Sequence, residues 1–418
     1  MRKEIIDKLV ILAESAKYDI SCASSGTTRN NTSQGIGNAN GWGICHSYTE
    51  DGRCVALLKI MLTNFCLYDC AYCINRRSND IPRAAFSPKE LANLTIEFYR
   101  RNYIEGLFLS SGIIKNPDHT MERMINVVKL LRTEHQYNGY IHMKTIPGAS
   151  KELTYQAGLY ADRLSINLEI PTEQNLKLLA PEKDHQSIYK PMHHIQQYTL
   201  ESKEDRKKHR NAPRFAPAGQ STQIIIGATN ETDKDILNLT SVLYQRPTMK
   251  RVYYSGFIPV NEYDKRLPVV KDVPKLRENR LYQADWLLRF YQFNVNEIVN
   301  DLHPELELDI DPKLSWALRH PEYFPVDVNR ASYEQILRVP GIGIKSARMI
   351  VSARQHGALT LNALKRIGVV LKRAQYFIHC RDKSMLTIHE AKPENVRLAL
   401  IAPTPIPRGQ PEQLSIGF

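Results

Sequence analysis

Three cysteines lie close together in the first part of the chain, Cys66, Cys70 and Cys73, in the pattern C-x3-C-x2-C. They follow a nearly continuous apolar run, VALLKIML, which predicts a buried parallel strand. One loop with this spacing can wrap a [4Fe–4S] cubane and supply thiolates to three of its irons, so that the fourth iron has no protein ligand. The triplet therefore predicts an iron–sulfur site with one open iron.

A structural zinc site is the alternative for the same cysteines. Zinc takes four tetrahedral ligands, usually as two CxxC pairs or as a CxxC pair with an HxxxH pair. The triplet has no second pair of this kind, but Cys54 or His46 is placed to supply a fourth ligand. The spacing favours the cluster and leaves zinc open.

A second segment with recognisable chemistry is RVPGIGIKSAR, around Pro340. A helix capped by Ser332 is expected to end before Pro340, and a second helix is expected over 344–354. The glycines between them allow a tight turn, and they let backbone N–H groups at the start of the second helix face a phosphate. The residues expected to contact nucleic acid are Gly341, Ile342, Gly343, Lys345, Ser346 and Arg348.

Alternating strand and helix patterns predict the framework that positions the cysteines. Six strand-like runs alternate with helical ones between Val55 and Tyr254, and this order is typical of a parallel sheet, open or closed into a barrel. In such sheets the functional residues lie at the C-terminal ends of the strands.

The composition divides the chain into five predicted regions. A helix with apolar residues at helical spacing precedes a Ser-, Asn- and Gly-rich loop, and a Pro-punctuated stretch follows the β/α region. The regions are an N-terminal helix and loop with extra cysteines (1–54), a β/α core (55–264), a helical linker (265–324), a hairpin domain (325–385) and a Pro-rich C-terminal tail (386–418).

The charge balance indicates a polyanionic partner. The chain has 418 residues with 56 Lys and Arg against 44 Asp and Glu, so its formal net charge is +12. Each basic contact to a phosphate releases counterions, which makes binding of nucleic acid favourable. No apolar run is long enough to cross a bilayer and the N-terminus does not read as a secretory signal, so we expect no membrane association and a cytoplasmic location.

The run LLKIMLTNFCLYDCAYC resembles the signature of the radical S-adenosylmethionine (SAM) superfamily. The resemblance implies an α/β fold, a partial (β/α)6 barrel of parallel strands, followed here by a small all-α domain. It also implies that the open iron binds SAM, that an external reductant supplies electrons, and that cleavage of SAM gives a 5′-deoxyadenosyl radical.

The same resemblance implies which residues contact SAM. Tyr72, before the third cysteine, corresponds to an aromatic residue near the adenine. The turn Ser110-Ser111-Gly112 replaces a Gly-Gly-Glu-like motif that binds the SAM amino group; it lacks the acid, so a hydroxyl or a backbone carbonyl must serve. Ordinary polarity at strand ends is the alternative. The residues implied are Tyr72, Ser110, Ser111, Gly112, Lys144 or His142, Asn167, Glu169 and Gly227.

The pattern L-x-x-V-P-G-I-G-x-x-x-A resembles the helix-hairpin-helix module, which grips the DNA backbone without reading sequence. A second segment over 361–377 matches the same pattern more weakly and is also basic. A helical hairpin used only for protein contacts is the alternative, and the net basic charge favours nucleic acid.

Four stretches together, YDISCASSG, GICHSYTEDGRC, LTNFCLYDCAYC and RVPGIGIKSAR, resemble a bacterial family of DNA modification and repair radical SAM proteins. That family implies a uracil-DNA-glycosylase-like partner. We carry three hypotheses: a radical SAM enzyme that modifies or repairs a nucleotide in DNA, one that modifies RNA, and a non-enzymatic DNA-binding protein with structural zinc.

The chain has seven cysteines, six of them in the first 73 residues, which argues against a disulfide framework. Cys22, Cys45 and Cys54 fit a second cluster, thiols near the substrate, a donor of a hydrogen atom to a substrate radical, or small buried residues. These alternatives stay open.

Overall fold

A computed structural model describes residues 3–17, 44–48, 54–270, 272–382 and 387–401. The chain divides into two compact units. The first unit comprises Met1–Glu231 and Val242–Pro274, and the second comprises Thr232–Ser241 and Lys275–Phe418. Cys22 lies outside the described residues, as do the side chains of Cys45 and Cys54.

The first unit is built on one seven-stranded sheet in which the strands are ordered as in the sequence. Strands β2 to β7 are parallel, and together they form the half-barrel expected from the sequence, so the predicted fold class is confirmed. The strands are β1 Ile44–Tyr48, β2 Cys54–Met61, β3 Gly106–Ser110, β4 Tyr140–Lys144, β5 Arg163–Ser165, β6 Gln220–Ile226 and β7 Met249–Gly256.

Strand β1 was not expected, because the region before residue 54 is predicted as helix and loop. It pairs antiparallel with β2, with Ile44 opposite Leu58 and Tyr48 opposite Cys54. A strand at the edge of a sheet is stabilised by its partner more than by its own composition. The Ser-, Asn- and Gly-rich sequence around β1 therefore does not predict a strand there.

Seven of the described helices accompany the sheet, and the last of them begins in residues of the second unit and ends in residues of the first. Helix α2 begins as predicted, with a capping box between Ser87 and Glu90 and with Pro88 in its first turn. The helices are α1 Lys3–Ala16, α2 Pro88–Arg100, α3 Pro117–Thr133, α4 Lys151–Tyr160, α5 Glu173–Leu179, α6 His185–Lys208 and α7 Asp233–Tyr244.

Helix α1 packs on the rest of the first unit, as its apolar spacing predicts. Leu9 and Leu12 are buried, and Lys8 Nζ lies 3.0 Å from Glu90 Oε1 on α2. Asn64 Nδ2, just after β2, donates to Ser15 Oγ at 3.1 Å. The N-terminal helix is therefore tied to the strand that leads into the cysteine loop.

The second unit is mostly helical and adds one short parallel pair of strands, β8 Val326–Asp327 and β9 Ile378–His379. The predicted linker contains three helices, and Trp316 among them is buried against Phe293 and Phe324. The helices are α8 Lys275–Phe290, α9 Val295–Ile298, α10 Pro312–Arg319, α11 Tyr333–Arg338, α12 Ile344–Ala353, α13 Leu361–Ile367, α14 Leu371–Ala374, α15 Ile388–Ala391 and α16 Pro393–Ile401.

The start of the C-terminal tail differs from the prediction of an extended Pro-rich segment. Residues 387–401 contain helices α15 and α16, and Arg397 on α16 pairs with Asp309 at 2.7 Å. Pro393 is the first residue of α16, a position that needs no backbone N–H, so this proline is compatible with a helix. The rest of the predicted tail lies outside the described residues.

Candidate cluster site and nucleic-acid hairpin

The loop that carries the three cysteines is hydrogen-bonded to the turn after β3. Leu67 N–H donates to the carbonyl of Ile113 at 2.8 Å, and Gly112 N–H donates to the carbonyl of Thr63 at 2.8 Å. The backbone N–H of Ile113 also lies 3.5 Å from Cys66 Sγ, which accepts it. The turn Ser110-Ser111-Gly112, predicted to bind SAM, therefore lies beside the first cysteine.

Gly112 is required by this close approach. A Cβ atom at this position would lie 2.2 Å from the carbonyl oxygen of Phe65 and 3.3 Å from Cys66 Cβ. Real Cβ atoms essentially never show the shorter distance, so any side chain here would displace the cysteine loop. The glycine thus has a packing role in addition to the one that the sequence suggested.

Arg76 fixes the far side of the cysteine loop. Its guanidinium lies 2.6 Å from Asp69, between the first two cysteines, and 2.6 Å from Asp264, after β7. The Arg76 side chain is only 6% exposed, and the guanidinium beside Asp69 holds the pKa of that carboxyl well below its usual range. A buried, doubly paired arginine is costly to break, so it fixes the loop firmly.

Asn261 ties the loop to the same segment after β7. Its Nδ2 donates to the carbonyl of Ala71 at 2.6 Å and to that of Cys73 at 3.0 Å. Arg83 satisfies further loop carbonyls, including those of Asn75 at 2.9 Å and Arg76 at 2.6 Å. The sequence analysis missed Arg76, Arg83 and Asn261, because nothing local marks them.

The cysteine thiols are poorly suited to exist as isolated thiolates. Burial raises the pKa of Cys70 to about 11 and that of Cys73 to about 12, and the neighbouring cysteines add to both shifts. A bound metal centre deprotonates such thiols outright, because its positive charge offsets the cost of burial. Three sulfur donors lie on one firmly held loop, where Cys70 is buried and Cys66 already accepts an N–H bond, and this arrangement fits a [4Fe–4S] cluster.

The zinc alternative needs a fourth ligand from Cys54 or His46, whose side chains lie outside the described part of the chain. Within the described residues, no three His, Cys, Asp or Glu side chains are grouped so that they could hold a single metal ion.

Tyr72 and Glu169, both predicted to contact SAM, are brought together by a residue that the sequence analysis missed. Lys183 Nζ lies 3.3 Å from Tyr72 Oη and 3.6 Å from Glu169 Oε1. Lys183 and Glu169 are both nearly buried, with side chains 12% and 13% exposed. An ammonium and a carboxylate therefore lie next to the residue that precedes the third cysteine.

Glu169 is held in an unusual backbone conformation. Its φ is +66°, in the left-handed region that residues other than glycine rarely adopt. Hydrogen bonds with β6 hold it there: Glu169 N–H donates to the carbonyl of Gln223 at 2.9 Å, and Ile225 N–H donates to that of Glu169 at 2.7 Å. Such strain is concentrated at functional sites in proteins.

Two other predicted SAM contacts, Lys144 and Asn167, line one small cavity together with His142 and Ser221. Burial holds the pKa of His142 well below its usual range, so its imidazole is neutral. Among the described residues, Ser110 Oγ and Ser221 Oγ are buried without a hydrogen-bond partner. Buried polar atoms normally have partners, so these hydroxyls are suited to a polar ligand such as SAM.

Gly227 follows β6 and is separate from that cavity lining. Its φ is +83°, and a Cβ atom there would lie 3.2 Å from Pro274 Cγ. The position therefore favours glycine for its backbone conformation. All the predicted SAM contacts lie in the first unit.

The predicted hairpin in the second unit consists of α11, a turn and α12. Gly341 has a φ of +85°, and a Cβ atom there would lie 2.7 Å from the carbonyl oxygen of Val370. Val370 N–H donates to the carbonyl of Gly341 at 3.0 Å. This glycine is therefore required both by the turn and by the contact with the weaker, second hairpin of α13 and α14.

The side chains of the hairpin fall into two groups. Lys345 and Arg348 are exposed, as phosphate contacts must be, and Gly343 begins α12 without a side-chain cap. Ile342 and Ser346 are buried, and Ser346 Oγ donates to the carbonyl of Ile367 at 3.4 Å. The Ser346 hydroxyl thus links the two hairpins, because it faces inward on α12.

The second hairpin is also basic. Gly368 ends α13 in the left-handed conformation, and Lys365, Arg366 and Lys372 are exposed around it. These positions agree with the weaker second match to the motif in the sequence.

Comparison with known proteins identifies both parts. Residues 60–241 match the family model described as the radical SAM superfamily, and residues 323–368 match that of the helix-hairpin-helix motif. No match is found among curated proteins. None of the described helices is long and apolar enough to cross a membrane.

Solved structures with a similar fold are distant in sequence. The maturase HydG from Carboxydothermus hydrogenoformans is 13% identical over 55% of this chain and 49% of its own, with a TM-score of 0.40. Methylornithine synthase (PylB) is 13% identical over 67% of each chain (TM-score 0.40). HemN from Escherichia coli is 15% identical over 62% of this chain and 56% of its own (TM-score 0.34).

This chain spans about half the length of HydG, for which two solved structures match it. The family match confirms the predicted radical SAM enzyme core and its cofactors, a [4Fe–4S] cluster and SAM. Residues 60–241 are therefore a radical SAM domain, and residues 323–368 form a helix-hairpin-helix motif.

Proposed function

We propose that this protein cleaves SAM reductively at a [4Fe–4S] cluster held by Cys66, Cys70 and Cys73, and that the reaction modifies or repairs a nucleotide in DNA. The proposal rests on the presence of two functional parts in one chain. One is a cysteine loop anchored on both sides at the strand ends of a radical SAM domain. The other is a helical hairpin with exposed basic residues.

The chain's own residues hold and shield the cluster. When bound, a [4Fe–4S] cluster supplies the electron that breaks a C–S bond of SAM. Cys70 is buried, Ile113 N–H is bonded to Cys66 Sγ, and Arg76 with Asn261 fixes the loop. Hydrogen bonds to sulfur and exclusion of water both affect the reduction potential of such clusters.

Charge complementarity supports a SAM site beside the cluster. The amino acid end of SAM carries an ammonium and a carboxylate, and the Glu169 carboxylate and the Lys183 ammonium supply a group of opposite charge for each. Glu169 thus supplies the acid that the Ser110–Gly112 turn lacks. The proposed SAM contacts are Tyr72, Ser110, Ser111, Gly112, Lys144, Asn167, Glu169, Lys183 and Gly227.

The hairpin supports nucleic acid as the substrate. Gly341 and Gly343 form the turn, and the N-terminus of α12 offers backbone N–H groups beside Lys345 and Arg348. The formal net charge of +12 favours the same partner. We place DNA before RNA because modules of this kind grip the DNA backbone.

Three further elements belong to the proposal. A reductant supplies the electrons, a uracil-DNA-glycosylase-like protein is a partner, and the protein acts in the cytoplasm. The first follows from the radical SAM domain, and the second rests on the sequence resemblance alone. Co-purification with a tagged glycosylase-like protein from the same cell tests the second.

Anaerobic iron and sulfide analysis, with EPR of the reduced protein, tests the enzymatic half. We expect about four irons per chain, a signal perturbed by SAM, and loss of both in the Cys66→Ala/Cys70→Ala/Cys73→Ala variant. Zinc in place of iron, or a cluster indifferent to SAM, contradicts the proposal.

Binding to duplex DNA and to tRNA, measured at the same salt concentration, tests the substrate half. Tighter binding of the duplex agrees with the proposal. A clear preference for tRNA replaces DNA by RNA as the substrate and leaves the enzymatic half intact.

A further inference from the structure

Tyr291 lies beside the hairpin loop although it is outside the motif. It directly follows α8, and its backbone N–H donates to the carbonyl of Leu287 at 3.1 Å. Its hydroxyl oxygen is 3.7 Å from the point where a Cβ atom of Gly343 would stand, and it lies next to the backbone N–H of Ile344. The hydroxyl therefore lies at the start of α12.

Lys313 holds Tyr291 and the loop in a fixed relation. Its Nζ is almost fully buried, donates to the carbonyl of Ile342 at 2.7 Å, and stands 4.7 Å from the centre of the Tyr291 ring. One side chain of α10 therefore contacts both the middle of the turn and the tyrosine beside it. The position of the Tyr291 hydroxyl is thus set by packing and does not depend on a ligand.

The Tyr291 hydroxyl is able to donate a hydrogen bond. A phenol can accept and donate, and the neighbouring Ile344 N–H is itself a donor, so it does not compete for the hydrogen of the phenol. The residue is partly exposed, and burial raises its pKa, so it keeps its proton. The exposed side chains of Lys345 and Arg348 are on the helix that begins at this point.

We propose that Tyr291 is part of the phosphate-binding group of the hairpin and that its hydroxyl donates a hydrogen bond to a phosphate oxygen of bound DNA. This inference rests on the proposed function, because it extends the same site. Tyr291, the residue after α8, would contribute a neutral hydrogen-bond donor beside the backbone amides and the basic side chains of the motif. The alternative is that Tyr291 only caps the N-terminus of α12. Its hydroxyl would then compete with a phosphate for a backbone N–H group, and Tyr291→Phe would not weaken DNA binding.

The test is DNA binding by the full chain with Tyr291→Phe, which keeps the ring over which Lys313 stands. A short labelled duplex is titrated over a range of salt concentrations. We expect the affinity to fall about tenfold, the value of a hydrogen bond to a charged group. The slope of log K against log salt stays unchanged, because a neutral hydroxyl releases no counterion.

Tyr103→Phe is the matched control, since Tyr103 is an exposed tyrosine of the first unit, outside the matched motif. It should bind as the wild type does. Affinity of Tyr291→Phe equal to or tighter than wild type overturns the inference, because the tyrosine is then a helix cap. A weaker affinity with a shallower salt slope also overturns it, because the loss then comes from displaced cations.

Lys345→Ala/Arg348→Ala separates this inference from the proposed function. Removal of two cations that contact phosphates should lower the magnitude of the salt slope by about two. If this variant and the wild type bind DNA alike, the hairpin is not the DNA site and both proposals fail. If it weakens binding while Tyr291→Phe does not, only the role of Tyr291 fails.

Discussion

Lys183 contacts both Tyr72 and Glu169, and we expect it to bind the carboxylate of SAM. Lys183→Met keeps most of the side-chain volume and removes the charge. SAM binding should weaken about tenfold or more, because a hydrogen bond between charged groups is lost. Equilibrium dialysis with the iron-loaded protein measures this.

Lys177→Met is the control for that change, since Lys177 is an exposed lysine on α5. Iron content should be the same in both variants, because neither lysine is a ligand of the cluster. Unchanged SAM affinity in Lys183→Met would remove Lys183 from the proposed site.

Lys313 makes the stability of the second unit depend on pH. Burial lowers its pKa to about 7, against an ordinary value of 10.5 when the chain is unfolded. Between these values the unfolded chain binds more protons, so the free energy of unfolding rises with pH. The free energy of unfolding rises by up to about 1.4 kcal/mol per pH unit in this window. Below pH 7 the lysine is protonated in both states, so the pH dependence ends and the folded state carries the full cost of the buried charge.

Urea denaturation of the wild type and of Lys313→Met at pH 7 and at pH 9 checks this. The wild type should gain more stability than the variant between the two pH values, because methionine cannot titrate. Equal gains would mean that the buried amine does not lose its proton in this range.

At the scale of elements, the contact between the turn after β3 and the cysteine loop decides whether a cluster can be held. Gly112→Ala should abolish most iron incorporation, since the added Cβ atom would stand 2.2 Å from the Phe65 carbonyl oxygen. Ser111→Ala, one residue away, should load iron normally, because the Ser111 hydroxyl bonds only to the next carbonyl among its described contacts.

Iron and sulfide analysis after reconstitution distinguishes the two variants. Normal loading of Gly112→Ala would show that the loop can shift without losing the cluster, and the rigid support argued from its hydrogen bonds would be wrong.

The elements that could be predicted are those whose signal is local. The cysteine triplet, the capping box at Ser87 and the turn at Gly341 are each contained in a few consecutive residues. The supporting residues could not be predicted in this way. Lys183 lies 111 residues from Tyr72, and Asp264 lies 188 residues from Arg76, so only the folded sheet brings them together.

At the scale of the whole molecule, the two compact units should keep their functions separately. The Cys66→Ala/Cys70→Ala/Cys73→Ala variant should bind duplex DNA within about twofold of the wild type, since the cysteines and the hairpin belong to different compact units and share no described partner. Lys345→Ala/Arg348→Ala should still cleave SAM when no DNA is present. Fluorescence anisotropy and detection of 5′-deoxyadenosine measure the two properties.

Loss of DNA binding in the cysteine variant, with its circular dichroism unchanged, would contradict this independence. It would mean that the radical SAM domain itself carries much of the DNA-binding surface.

The clamp made by Arg76, Asn261 and Asp264 has a consequence for biogenesis. The cysteines leave the ribosome early, but Asn261, which holds the carbonyls of Ala71 and Cys73, is made about 190 residues later. Chains are synthesised from the N-terminus, and contacts between distant residues form last. The newborn chain therefore exposes three thiols without this support until the last strand of the half-barrel has been made, and we expect the cluster to be held stably only after that point.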